Sequence, residues 1–94
     1  MAFQFDLSPK LRFKMGKLLK KDQKKVEIIN RKIQQIINTK PEDIDERYKG
    51  LRYDFSGLKR VHIDGPFVMT FRVDRTNNFV YFRDYDHHDR VYKE

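Results

Sequence analysis

Apolar and polar residues alternate at the start of the chain, where Phe3-Gln4-Phe5-Asp6 predicts a short strand with one buried face. The period then lengthens. Leu11, Met15, Leu18 and Leu19 fall at i, i+4, i+7 and i+8, the stripe of a helix. Ser8-Pro9 opens that helix: a serine oxygen accepts from unpaired backbone N–H groups, and proline is tolerated at the first helical position. Asp22 is a cap for a second helix, whose apolar face carries Val26, Ile29, Ile33, Ile36 and Ile37. Asn38-Thr39-Lys40-Pro41 ends it, since proline disfavours helical geometry at the residue before it. The two helices form a hairpin with Lys20-Lys21-Asp22-Gln23-Lys24-Lys25 at its tip.

From Pro41 to Gly57 no period is legible, and a loop with a short turn is expected. Alternation returns in three strands. Leu58–Asp64 sets Val61 and Ile63 against Arg60, His62 and Asp64. Phe67–Asp74 sets Phe67, Met69, Phe71 and Val73 against Val68, Thr70, Arg72 and Asp74. Phe79–Tyr85 sets Val80 and Phe82 against Phe79, Tyr81, Arg83 and Tyr85. Gly65-Pro66 and Thr76-Asn77-Asn78 are the turns between them. The expected fold is α+β, β-α-α-β-β-β in two layers. The helical hairpin covers the apolar face of a small antiparallel sheet, and the other face is exposed.

Composition fits one domain, residues 1–94, with a thin core. Cysteine is absent, which excludes disulfides and thiolate metal sites. No apolar run is long enough to span a membrane, no secretory signal is visible, and a cytoplasmic location is expected. The net charge of +7 is unevenly placed: residues 1–40 hold 11 Lys and Arg against 3 Asp and Glu. Lys14, Lys17 and Lys21 line one helix, and Lys24 and Lys25 sit at the hairpin tip. Such a field attracts polyanions, so these lysines are candidate RNA-binding residues; a solvated helix surface is the plain alternative.

The chemistry gathers near the C-terminus, in Arg83-Asp84-Tyr85-Asp86-His87-His88-Asp89-Arg90-Val91-Tyr92. Imidazole titrates near neutrality, so the two adjacent histidines offer proton transfer. Period-2 geometry brings His62, Arg72 and Arg83 to one side of the sheet. RNA is cut without metal when its own 2′-OH attacks the adjacent phosphorus. That route needs a base, a cation beside the phosphorane and an acid for the leaving oxygen. His62 with His87 or His88 fits base and acid, Arg83 and Arg72 fit the phosphate, and Asp89 suits either orienting a histidine or taking part in proton transfer. Tyr92 suits stacking on a base, and Arg60, Tyr81 and Tyr85 extend the RNA-binding face. Each alone has a bland reading, as a cross-strand salt bridge or a solvated tail; their joint occurrence is the signal. Adjacent residues of an extended segment point apart, which argues against His87 and His88 sharing a metal ion, and no metal or cofactor is expected.

The order of a strand, a basic helical hairpin, Lys49-Gly50, Gly57-Leu58-Lys59-Arg60-Val61-His62-Ile63, Phe67-Val68-Met69-Thr70-Phe71-Arg72-Val73-Asp74 and a closing His-His-Asp-x-x-Tyr resembles the RelE superfamily of toxins, nearest its YafQ branch. The resemblance covers nearly the whole chain. It implies the toxin of a type II toxin–antitoxin pair, which enters the ribosomal A site and cleaves mRNA by 2′-OH attack, and which a cognate antitoxin neutralises. Carried over by position, His62, Arg83 and His87 match branch site residues. A one-residue shift substitutes His88 for His87, and the C-terminal aromatic falls on Val91 or Tyr92. Pro66 stands where the branch has an aspartate, Glu46 lies near a branch histidine, and Val68 stands near an arginine common in the wider family. Two other readings share the fold: a ParE-like gyrase inhibitor, and a basic RNA- or partner-binding domain without catalysis.

Overall fold

The computed structural model describes residues 2–48, 50 and 57–91. Strand β1 (Gln4–Leu7) leads into helices α1 (Pro9–Lys21) and α2 (Gln23–Ile37). A 3-10 turn (Pro41–Asp43) and a short helix α3 (Ile44–Arg47) follow. Strands β2 (Leu58–Asp64), β3 (Phe67–Asp74) and β4 (Phe79–His87) come next, and a single turn of helix α4 (His88–Val91) closes the described chain.

The hairpin forms where the capping residues stand. Ser8 Oγ accepts from Leu11 N–H at 3.0 Å. Asp22 ends α1 by donating its N–H to Leu18 O at 2.6 Å, and starts α2 by accepting from Lys25 N–H at 3.1 Å. One residue therefore joins the two helices. Ile29, Ile33, Ile36 and Ile37 are all buried on the sheet, as their spacing predicts. The unreadable stretch carries a small helical feature of its own: Ile44 and Tyr48, four residues apart, both enter the core, and Tyr48 meets Phe71 edge-on.

The sheet order is β1-β4-β3-β2, with β1 parallel to β4 and the other pairs antiparallel. Two bulges alter the expected faces. In β4, Thr70 pairs with Asp84 but Phe71 pairs with Phe82, which leaves Arg83 as an extra residue. The parity of β4 reverses beyond it. Tyr85, expected on the exposed face, turns into the core opposite Met69 and is 6% exposed. In β2, Ile63 is the extra residue, and Asp64 turns to the helix side, where Lys25 Nζ reaches it at 3.0 Å.

The face away from the helices is also less open than expected. Leu58, Val68 and Thr70 are buried within it, as short or apolar side chains set among longer neighbours. Beyond Phe82, β1 has ended, and the start of α1 takes over the outer edge of β4. Ser8 N–H donates to Phe82 O at 2.8 Å, the Ser8 hydroxyl to Arg83 O, and Lys14 Nζ to Tyr85 O at 3.0 Å. No described helix is long and apolar enough to cross a membrane.

Candidate functional site

The predicted constellation divides into two groups that meet at one end of the sheet. The first lies on the face away from the helices. Arg60 and His62 project from β2 and Arg72 from β3, with Tyr81 of β4 directly opposite Arg72. All four are solvent-exposed. His62 Nε2 lies 2.9 Å from Gly65 O. A carbonyl only accepts, so in this contact Nε2 carries the proton, and the neutral ring keeps its lone pair on Nδ1.

The second group stands where β4 becomes α4. His87 pairs with Phe67 across the ladder and rests edge-on against that ring, centroids 5.9 Å apart. His88 N–H donates to Pro66 O at 2.8 Å, which fixes the start of α4 to the turn between β2 and β3. The expectation that the two imidazoles point apart is not met. The strand ends at His87, the backbone turns helical at His88, and the rings stack with centroids 4.7 Å and planes 27° apart. Asp89 joins them: its Oδ1 is 3.0 Å from His88 Nδ1, its Oδ2 3.6 Å from His87 Nδ1, and its N–H lies 3.2 Å from His87 Nδ1. Among the described residues, His87, His88 and Asp89 are the one group with donor atoms placed to share a metal ion.

His62 and His87 are not direct partners. His62 pairs with Val68, and Val68 with Asp86, so two strand spacings, about 10 Å, separate their backbones. The Arg83 bulge also sets His87 on the opposite face from His62. What joins the two groups is the Gly65-Pro66 turn, bonded by His62 on one side and by His88, the neighbour of His87, on the other. Arg83 occupies the bulge itself, and Tyr92 lies outside the described residues.

The lysines also divide. Lys14 bonds Asp84 at 2.7 Å and Asp86 at 3.1 Å, and its side chain is 27% exposed. Partial burial disfavours its charge, but the hydrogen bonds to Asp84 and Asp86 outweigh it and hold its pKa above the usual lysine value. Lys25 is raised chiefly by its bond to Asp64, and its ammonium sits 4.4 Å from the Phe67 ring centre. Both were expected to face RNA; both instead tie the helices to the sheet. Burial raises the Tyr85 hydroxyl pKa, and its ring stacks on Phe67 at 5.3 Å, so Tyr85 is a core residue and not a stacking platform. Lys17, Lys21 and Lys24 remain exposed. Local pattern missed the carboxylates Asp84 and Asp86, which claim Lys14 across 70 residues of chain. It also missed Arg90, which borders a groove of about 310 Å³ with Lys17, Lys21, Leu18 and Tyr85. Its only sequence signal is a cation one helical turn past the histidines.

Comparison with known proteins places this geometry. No family model matches the chain. A protein of Methanocaldococcus jannaschii whose name places it among the RelE toxins is 39% identical over 92 residues, 98% of this chain and 93% of that protein. The toxin–antitoxin complex of YoeB and YefM from Staphylococcus aureus contains a chain of the same fold, with a TM-score of 0.72, 16% identity and coverage of 94% and 99% of the two chains. YafQ from Escherichia coli is similar to the same degree, at a TM-score of 0.69 and 15% identity over 96% of this chain and 98% of that one. The fold therefore shows no preference for a YafQ branch over its neighbours.

Proposed function

Since this chain belongs to the RelE family of toxins, we propose that it is the toxin of a type II toxin–antitoxin pair and cuts mRNA in the ribosomal A site. The cut proceeds by attack of the 2′-OH on the adjacent phosphorus. The observation that carries this reading is the exposed set Arg60, His62, Arg72 and Tyr81 on one face, ending at the turn where His87 and His88 stand. Guanidinium groups match phosphate oxygens, and a tyrosine ring accepts an unpaired base. His62, with its lone pair on Nδ1, takes the 2′-OH proton. An RNA strand bent over the Gly65-Pro66 turn brings the same phosphate within reach of His87 or His88, which donates its own proton to the leaving 5′-oxygen. Arg83 and Tyr92 complete the YafQ-like set. Lys17, Lys21 and Lys24 hold ribosomal RNA from the helical layer, and ribosomes place the activity in the cytoplasm. A cognate antitoxin is the partner that covers the site.

The test is a translation extract programmed with a defined message. Purified protein yields cuts within codons of translated mRNA, and His62→Ala lowers the rate by about 10²–10⁴, as loss of a general base does. A message left intact while translation proceeds refutes the reading. Inhibition of gyrase supercoiling with intact message replaces it with the ParE-like one.

A further inference from the structure

His88 enters the proposed cleavage only as an alternative to His87, and Asp89 only as a partner of a histidine, yet their geometry is specific. The change from strand to helix between His87 and His88 removes the alternation that would send their rings to opposite faces. Asp89 then lies within reach of both, 3.0 Å from one imidazole nitrogen and 3.6 Å from the other. One donor atom from each of the three residues lies within 4.8 Å of the other two. The backbone beneath is fixed, through the bond of His88 N–H to Pro66 O and the packing of His87 against Phe67. His87 Nδ1 accepts from Asp89 N–H, so the nitrogen facing the cluster holds a lone pair rather than a proton.

A tetrahedral ion with bonds of about 2.0–2.1 Å keeps its ligand atoms about 3.3 Å apart. Each imidazole lies near that distance from its own oxygen of Asp89, 3.0 Å for His88 and 3.6 Å for His87, and rotation of the carboxylate and the imidazoles brings one donor atom from each residue onto a single ion. Two imidazoles and one carboxylate suit zinc, nickel or copper; magnesium and calcium prefer shells of oxygen. We propose that His87, His88 and Asp89 chelate one divalent transition-metal ion of this class, with at least one position left for water. The bound ion occupies imidazole nitrogens that proton transfer would need. Its occupancy is therefore an off state of the nuclease, a consequence that rests on the proposed function, whereas the binding does not.

The experiment titrates tag-free full-length protein with zinc chloride by calorimetry at neutral pH. One ion per chain is expected, with affinity in the micromolar range. His88→Ala and Asp89→Asn each weaken it about tenfold or more, His62→Ala leaves it unchanged, and magnesium chloride gives no saturable heat. Absence of saturable zinc binding below about 1 mM, or equal binding by His88→Ala and Asp89→Asn, overturns the site. A parallel cleavage assay separates the two readings. Zinc that stops cutting, with recovery on adding EDTA, supports the off state; cutting that persists at saturating zinc overturns it. Stoichiometric zinc binding by a protein that never cuts supports the site and refutes the nuclease.

Discussion

Tyr85 is the sharpest probe of the bulge at Arg83. On uninterrupted alternation it belongs to the exposed face, and Tyr85→Ala would weaken RNA contacts at little cost in stability. In the structure its ring is 6% exposed, stacks on Phe67 at 5.3 Å, and lies opposite Met69 in the core. Truncating a buried aromatic ring costs about 3–5 kcal/mol in lost transfer energy and residual cavity. A chain of this size has a total stability of about 5–14 kcal/mol, so the loss is a large share of the whole. With a urea m-value of about 1–1.5 kcal/mol/M, the unfolding midpoint falls by about 2 M or more. Tyr85→Phe keeps the ring and loses only the hydroxyl, so its midpoint stays within about 1 M of the native value. Urea unfolding of the three proteins by circular dichroism is the assay. A Tyr85→Ala midpoint within about 0.5 M of the native one would refute the inward placement and the bulge with it.

Ser8→Ala removes both the cap of α1 and the hydroxyl bond to Arg83 O, and is expected to cost about 1–2 kcal/mol by urea unfolding. The Asp45 carboxyl is held down at about 2 by its bonds to Arg75 and then Lys59. A depressed carboxylate pKa contributes stability above its unfolded value of 3.8, and that contribution disappears as pH falls from about 4 to about 2. The side chain is 60% exposed, so solvent screening keeps the effect under about 1 kcal/mol. Asp45→Asn should flatten the acid limb of a stability–pH curve across that window, and an unchanged limb would discount the pair. Replacing Lys17, Lys21 and Lys24 together by alanine should leave thermal unfolding unchanged and make the log–log salt dependence of RNA binding shallower by about 2. An unchanged slope would remove the helical lysines from the interface.

The helices were legible because their signals are local: Ser8, Pro9 and Asp22 at the ends, and isoleucines at helical spacing between them. The α3 turn was legible in principle, from Pro41 and the Ile44–Tyr48 spacing, but the three charged residues between them, Asp45, Glu46 and Arg47, obscure a pair of anchors. The bulge at Arg83 had only a weak marker. Continued alternation puts Asp84 in the apolar phase with Val80 and Phe82, and the partner strand decides which residue is left unpaired. That extra residue is why Tyr85 was assigned to the wrong face, while Arg60, His62, Arg72 and Tyr81, before it or on other strands, were placed correctly. Lys14 and Lys25 were misread for a related reason. A lysine on a helix surface resembles any other until the sheet brings Asp84, Asp86 or Asp64 against it.

The strand order β1-β4-β3-β2 has a bearing on how the molecule is made. Of the four described strands, β1 is synthesised first and its partner β4 last. Local elements such as the helical hairpin and the β2–β3 pair can form while synthesis continues, whereas β1 waits unpaired for more than 70 residues. One of the two inner strands, β4, is thus also the latest of the four, and it carries His87. A nascent chain cannot assemble the histidine end until β4 has cleared the exit tunnel. The topology therefore delays closure of the sheet, and with it the histidine end, until all four described strands have been made.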